Sequence, residues 1–339
     1  MVRTLIGHGI GLAALLTAAP AFADDGAFRP CDRACLIATG EKVLQAMVDH
    51  NPHVAPISPD VRYTENGQEL LLPDGLWRTL TKGGSYRLRV ADPETGVLTI
   101  FSTMEENGAP LNLSTRIRVR DRIVTEIETT VARPDPTVFG GLQPRPQDLK
   151  ERPEFDQILP PEQRRPRWQL IDIANTYFRA LENNNGKDHV PSFDDACHRI
   201  ENSIATTNRP QADPTKPRTA VNMGCREAFT LGYYREDTRL RGMRFMAVDE
   251  ERGLVQVNGF FDHDATVRSY TLTDGREIKV ARTAPWTWMI SEIFKIRDGK
   301  IWQVEAILLS VPYGMKSNWD NGWKMPSPQE ELEKARAGR

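Results

Sequence analysis

Histidine has an ordinary pKa nearest neutrality, so an acid–base site is sought first at the histidines. The chain has six. His8 lies in the leader described below, His50 and His53 flank Pro52 at a helix end, and His189 follows NNNGKD in a loop. Capping or surface roles are expected for those three. His263 closes the strand LVQVNGFFDHD, where alternation puts Val255, Val257, Phe261 and His263 on one face, with Asn258, Phe260 and Asp262 on the other. Asp262 and Asp264 are the adjoining carboxylates. A second concentration of polar chemistry is CHRIEN. In a strand, Arg199 and Glu201 share one face, while His198 and Asn202 share the opposite one. Arg199 is suited to a substrate carboxylate or oxyanion, and Glu201 to a base or an orienting partner. The bland alternatives are a strand-end His263 bonded to a loop, and a Glu201-Asn202 pair that only shapes a turn.

That alternative has weight because the pair recurs. VRYTENG aligns without gaps on CHRIENS, placing Glu65-Asn66 on Glu201-Asn202. Further matches follow in order. The amphipathic helix LIATGEKVLQAMV precedes the first and LIDIANTYFRAL the second, each with its apolar residues on one 3.6-residue stripe. VADPETGVLTI matches AVDEERGLVQV, with Asp92 on Asp249 and Gly96 on Gly253. VRDRIVTEIETTV matches IRDGKIWQVEAIL, with Glu128 on Glu305. The chain is therefore a tandem repeat, each copy being one or two N-terminal helices followed by a strongly curved antiparallel sheet. Repeat two carries two insertions, the Pro-rich NRPQADPTKPR and a lengthened hairpin around SYTLTDGREIKVARTAPW. Eight prolines between Pro134 and Pro166 mark the connector as an extended tether along the surface. Glu128 falls on the face opposite Ile123, Ile127 and Val131, and Glu305, on the equivalent face, is expected in a buried hydrogen bond between the copies rather than in catalysis.

The predicted organisation is a signal peptide over 1–23, a first domain over 28–133, a linker over 134–166, a second domain over 167–324 and a charged tail over 325–339. The leader reads from Arg3, the apolar IGLAALLTAA and the small-x-small AFA. It is too short to span a bilayer, so a periplasmic or extracellular protein is expected. With 46 acidic against 44 basic residues, no nucleic-acid or anionic-membrane partner is indicated. The four cysteines of an exported chain favour disulfides, and the repeat assigns Cys31 with Cys35 and Cys197 with Cys225. Metal ligation is the rival reading, with only His198 near the cysteines and no CxxC pair. No P-loop, Rossmann, HExxH or G-x-S-x-G pattern is present.

CDRACL, RIENS, DEERGLV, FFDH, FKIRDGKI, VEA and VPYGMKSNW together resemble a secreted tandem group of the NTF2-like (SnoaL-like) superfamily. The resemblance implies an α+β fold of two cones, helices packed into curved antiparallel sheets, arranged as a pseudo-dimer. It also implies a cavity in each cone suited to cofactor-free isomerases, lyases and dehydratases. The expected function is an exported lyase, isomerase or dehydratase acting without metal or cofactor on a small, mostly apolar molecule in the second cone. A lignin-derived aromatic is one candidate class. The catalytic candidates are His263, Glu201, Arg199 and Tyr313, with His198, Asn202, Asp262 and Trp319 for binding. Tyr313, Trp319 and Trp323 either close the cone mouth over a flat ligand or plug it. The alternative is a non-catalytic exported module binding a small molecule or protein, and homo-oligomers fit either case.

Overall fold

The computed structural model describes residues 30–136, 141–182, 184–188 and 190–319. The segment predicted as a signal peptide, the charged tail, Trp323 and His189 lie outside the described residues. The first repeat runs α1 (Arg33–Val48), β1 (Ile57–Glu65), β2 (Gln68–Leu70), β3 (Leu80–Asp92), β4 (Val97–Glu106), β5 (Ala109–Arg120) and β6 (Ile123–Ala132). The second opens with α2 (Arg167–Glu182), β7 (Phe193–Glu201), β8 (Ile204–Ala205) and the short α3 (Cys225–Leu231). It continues with β9 (Arg239–Asp249), β10 (Leu254–His263), the hairpin β11 (Ser269–Thr271) and β12 (Glu277–Lys279), then β13 (Trp286–Arg297) and β14 (Lys300–Val311). The fold is α+β, with two six-stranded sheets ordered β2-β1-β6-β5-β4-β3 and β8-β7-β14-β13-β10-β9.

The repeat holds down to register. Thr64 pairs with Glu128 where Ile200 pairs with Glu305, and Glu65 pairs with Thr129 where Glu201 pairs with Ala306. These two ladders correct one expectation: β1 runs parallel to β6, and β7 parallel to β14, so neither sheet is purely antiparallel. Side-chain alternation has a period of two in either direction, so it carries no strand polarity. The Asp–Gly hairpins explain why their residues repeat. Asp92 accepts from the Thr95 amide and Asp249 from the Arg252 amide, each closing its turn. Gly96 and Gly253 have φ of +68° and +59°, and a Cβ there would lie 2.5 and 2.1 Å from the carbonyls of Val119 and Ile296. Only glycine fits.

Each helix covers one face of its own sheet. Leu36, Val43, Leu44 and Met47 of α1 bury against Leu98, Ile100 and Ile117, and Leu170, Ala174, Tyr177, Phe178 and Leu181 of α2 against Phe245, Val257, Phe261 and Phe294. The other faces meet each other, and equivalent residues touch across the seam. Ser114 Oγ lies 2.9 Å from Ser291 Oγ, and Thr99 donates to Gln256 at 3.1 Å. Arg33 at the start of α1 pairs with Asp249, and Arg167 at the start of α2 pairs with Asp92 at 2.8 Å. Glu305 accepts from Tyr86 of the other repeat at 2.6 Å, and Glu128 pairs with Arg244. The connector does more than cross the surface. Its Phe155 and Leu159 are buried, and Phe155 joins Tyr86, Phe101, Ile293 and Ile307 in the seam. Among the described residues no helix is long and apolar enough to cross a membrane.

Cys31–Cys35 and Cys197–Cys225 are both disulfides, which fits an exported protein. The second ties β7 to α3 across 28 residues. By loop entropy it stabilises by about 3–4 kcal/mol, against less than about 2 kcal/mol for the four-residue ring at Cys31. Urea denaturation of the two Cys→Ser double variants is expected to rank them in that order. Equal losses would show that loop length does not govern either bridge.

Candidate active site

The helix-facing interior of repeat two is not simply apolar. Along β7, alternation sends Arg199 and Glu201 inward, as expected, and Arg199 is only 5% exposed. Every arm of its guanidinium is engaged. It pairs with Glu201 at 2.8 Å and donates to Thr206 at 3.1 Å, to the Tyr177 hydroxyl of α2 at 3.0 Å and to the Tyr234 hydroxyl at 2.8 Å. A rigid fork with this many partners is the form in which a buried cation is tolerable. Around it Tyr177 contacts Phe178, Phe193, Phe229 and Phe294 edge-on or tilted, with centroids 5.2–6.3 Å apart.

Glu292 completes the cluster. Its neighbour Ser291 points into the seam, so Glu292 on β13 points the opposite way, toward α2. It is 2% exposed, and its Oε2 has no hydrogen-bond partner. Burial, reinforced by the Glu201 carboxylate, pushes its carboxyl up to about 8, and Arg199 and the Tyr177 hydroxyl offset only part of that. At neutral pH the group is predominantly a neutral carboxylic acid, a hydrogen-bond and proton donor set beside an arginine. Sequence reasoning missed it, although a lone acid inside the apolar strand WTWMISEIFKI, on the face of Ile290 and Phe294, was a usable signal.

His263 faces the same interior at the far end of β10. Its Nε2 meets Asp237 at 2.7 Å, its ring stacks on Trp286 with centroids 3.8 Å apart, and its buried Nδ1 has no partner. Asp237 orients the imidazole and leaves one ring nitrogen for other work. Glu236, beside the dyad, has its carboxyl raised by burial and by Asp237, with His263 acting against them. Val257 pairs with Glu292 and His263 with Trp286, so the two centres lie six positions apart along β10. Asp237, bonded to His263, also contributes to pushing the Glu292 carboxyl upward.

The other candidates go elsewhere. Asp262 lies on the reverse face of β10, held by Arg239, Arg241 and Thr287 at 2.6–2.8 Å. Tyr313 is 44% exposed and stands near Arg239 on that same reverse face, because Gly314 donates to Thr287. Trp319 turns into the seam and donates to Thr64 of repeat one at 3.0 Å, so this indole does not cap the second interior. His198 points to the seam side, where burial and Arg152 lower its pKa. Asn202 is a turn residue with φ of +44°, and its amide bridges to the Leu308 backbone at 2.7 and 3.0 Å. Asn66 does the same to Val131, which is why the asparagine recurs. The glutamates diverge. Glu65 takes Tyr63 and the Leu76 amide where Glu201 takes Arg199, and Thr115 stands where repeat two has Glu292.

Residues 163–308, most of repeat two, match the family model described as Domain of unknown function (DUF8021). No curated protein matches the chain. AclR from Streptomyces galilaeus is similar in fold, with 19% identity over 33% of this chain and 88% of AclR, at a TM-score of 0.23. A protein designed de novo with a curved β-sheet is similar at 19% identity over 32% of this chain and 92% of its own, at a TM-score of 0.24.

Proposed function

We propose that the protein is an exported, cofactor-independent acid–base enzyme of the lyase, isomerase or dehydratase class. Its chemistry is assigned to the interior of repeat two, and its substrate class to small, mostly apolar molecules. The carrying observation is Glu292, a buried carboxyl held protonated near neutrality with one oxygen unpartnered. Glu292 gives a proton or a hydrogen bond to a developing oxyanion, Arg199 orients that oxygen, and Glu201 takes the proton from the opposite side. His263 with Asp237 is the second polar pair of the same interior. The scaffold is taken to be two NTF2-like cones, 28–133 and 167–324, joined through 134–166 as a pseudo-dimer. Reciprocal pairs such as Arg33–Asp249 and Arg167–Asp92 support that arrangement, because a two-fold interface repeats each contact in reverse.

A second proposal, a non-catalytic binding module, is favoured by the aromatic packing that fills the space around Tyr177. Small aromatic ketones and β-hydroxy carbonyl compounds incubated with the mature protein in heavy water separate the two. An enzyme exchanges solvent deuterium or eliminates water, and His263→Ala slows this while the thermal midpoint moves by only a few degrees. A binder raises its own midpoint with such a compound and leaves it chemically unchanged. Turnover that survives His263→Ala while the fold weakens makes His263 a structural residue.

A further inference from the structure

We infer that the cleft between the two sheets beside Trp319 is a separate binding site for a small aromatic carboxylate. The cleft has a volume of about 340 Å³, with Arg62, Arg120 and Glu126 on one side, Arg244 and Met246 on the other, and Trp319 as a wall. Its charges do not cancel. Glu126 takes Arg116 and Arg118, and Glu128 takes Arg116 and Arg244, so two carboxylates serve three arginines before Arg62 and Arg120 are counted. Arg62 donates to the Asn318 carbonyl and lies over Trp319, and its contact with a carboxylate, Glu69 at 3.5 Å, is long and exposed, while Arg120 has no ion-pair partner among the described residues. Arg116 is fully buried, yet its Nη2 also lacks a partner. Buried and crowded guanidinium groups of this kind are satisfied by an anion.

The apolar part of the ligand follows from Trp319. Its indole is fixed by the bond to Thr64 and lies between Arg62 and Arg116, whose guanidinium carbons are 4.3 and 4.5 Å from the ring. Met246 faces it across the opening. The equivalent place in the other half of the seam indicates why this one is open. There Gln303 and Glu305 replace Glu126 and Glu128, and the connector fills the space with Arg152, which bonds Glu305 at 3.0 Å and stacks on Phe155 at 4.6 Å. One half therefore carries its own plug, and the other keeps an arginine-rich cleft with an aromatic wall.

Benzoate and its neutral analogue benzamide test this by calorimetry and by Trp fluorescence. Saturable benzoate binding is expected, weakened by salt, with benzamide at least about tenfold weaker. Arg120→Gln is expected to weaken benzoate by about tenfold without lowering the thermal midpoint, since the side chain is exposed. Glu292→Gln and His263→Ala should leave benzoate affinity unchanged, which separates this site from the interior of repeat two. The inference is overturned by absent saturation, by equal affinity for benzamide, by indifference to Arg120→Gln, or by loss of binding in the Glu292 variant.

Discussion

In the Glu292→Gln variant, turnover on any substrate of the repeat-two interior falls by ~10²–10⁴-fold, and stability loses part of its dependence on pH. Both effects have one cause. The folded protein holds the Glu292 proton up to about pH 8, whereas an unfolded glutamate releases it near pH ~4.3. Across that window the unfolded state binds fewer protons, so stability falls as pH rises. The contribution is fully present below the unfolded pKa and is lost on passing through the folded one. Its slope is at most about 1.4 kcal/mol per pH unit. Glutamine keeps the shape and cannot titrate, so the variant gains on the wild type between pH 5 and pH 8. Glu305 is also raised by burial, but it stays in both proteins and cancels from the comparison. Thermal melts across that range, paired with turnover, check it. Parallel melting curves would mean that Glu292 is ionised in the fold and is not the proton donor.

The sequence made the repeat legible because turn chemistry is local. Asp92 with Gly96 and Asp249 with Gly253 close the same hairpin by the same bonds, so their spacing survived insertion elsewhere. Alternation also placed Arg199 with Glu201, and His263 on the face of Phe261, because a β-strand forces that separation. It could not say what lies across the space between elements. Tyr177 read as one more apolar position on α2, yet its hydroxyl ends on Arg199. Asp237 sits in a loop with no periodicity and reaches His263 only in three dimensions. Tyr313 and Trp319 failed as companions because the chain leaves β14 on the seam side of the sheet, a direction no pattern in VPYGMKSNW encodes.

Arg199→Ala is expected to cost about 3–5 kcal/mol, the range for removing one partner from a buried ionic network. The loss is not that of a single hydrogen bond. Four groups turn toward this guanidinium: Glu201, Thr206, Tyr177 and Tyr234. Without it, Glu201 and Glu292 face each other across a low-dielectric interior with no cation between them. Burial drives the Tyr177 hydroxyl far above its ordinary range, so that group stays neutral and cannot compensate. At roughly 2–4 °C per kcal/mol for a domain of this size, the thermal midpoint drops by about 10 °C. Lysine at 199 keeps the charge but offers no planar fork, so Arg199→Lys is expected to recover only part of the loss. A double-mutant cycle with Tyr177→Phe should give a coupling of about 1 kcal/mol or more, because the two groups touch. A loss below about 1 kcal/mol for Arg199→Ala would place the guanidinium in contact with water, and with it would go the low-dielectric interior on which the protonated Glu292 depends.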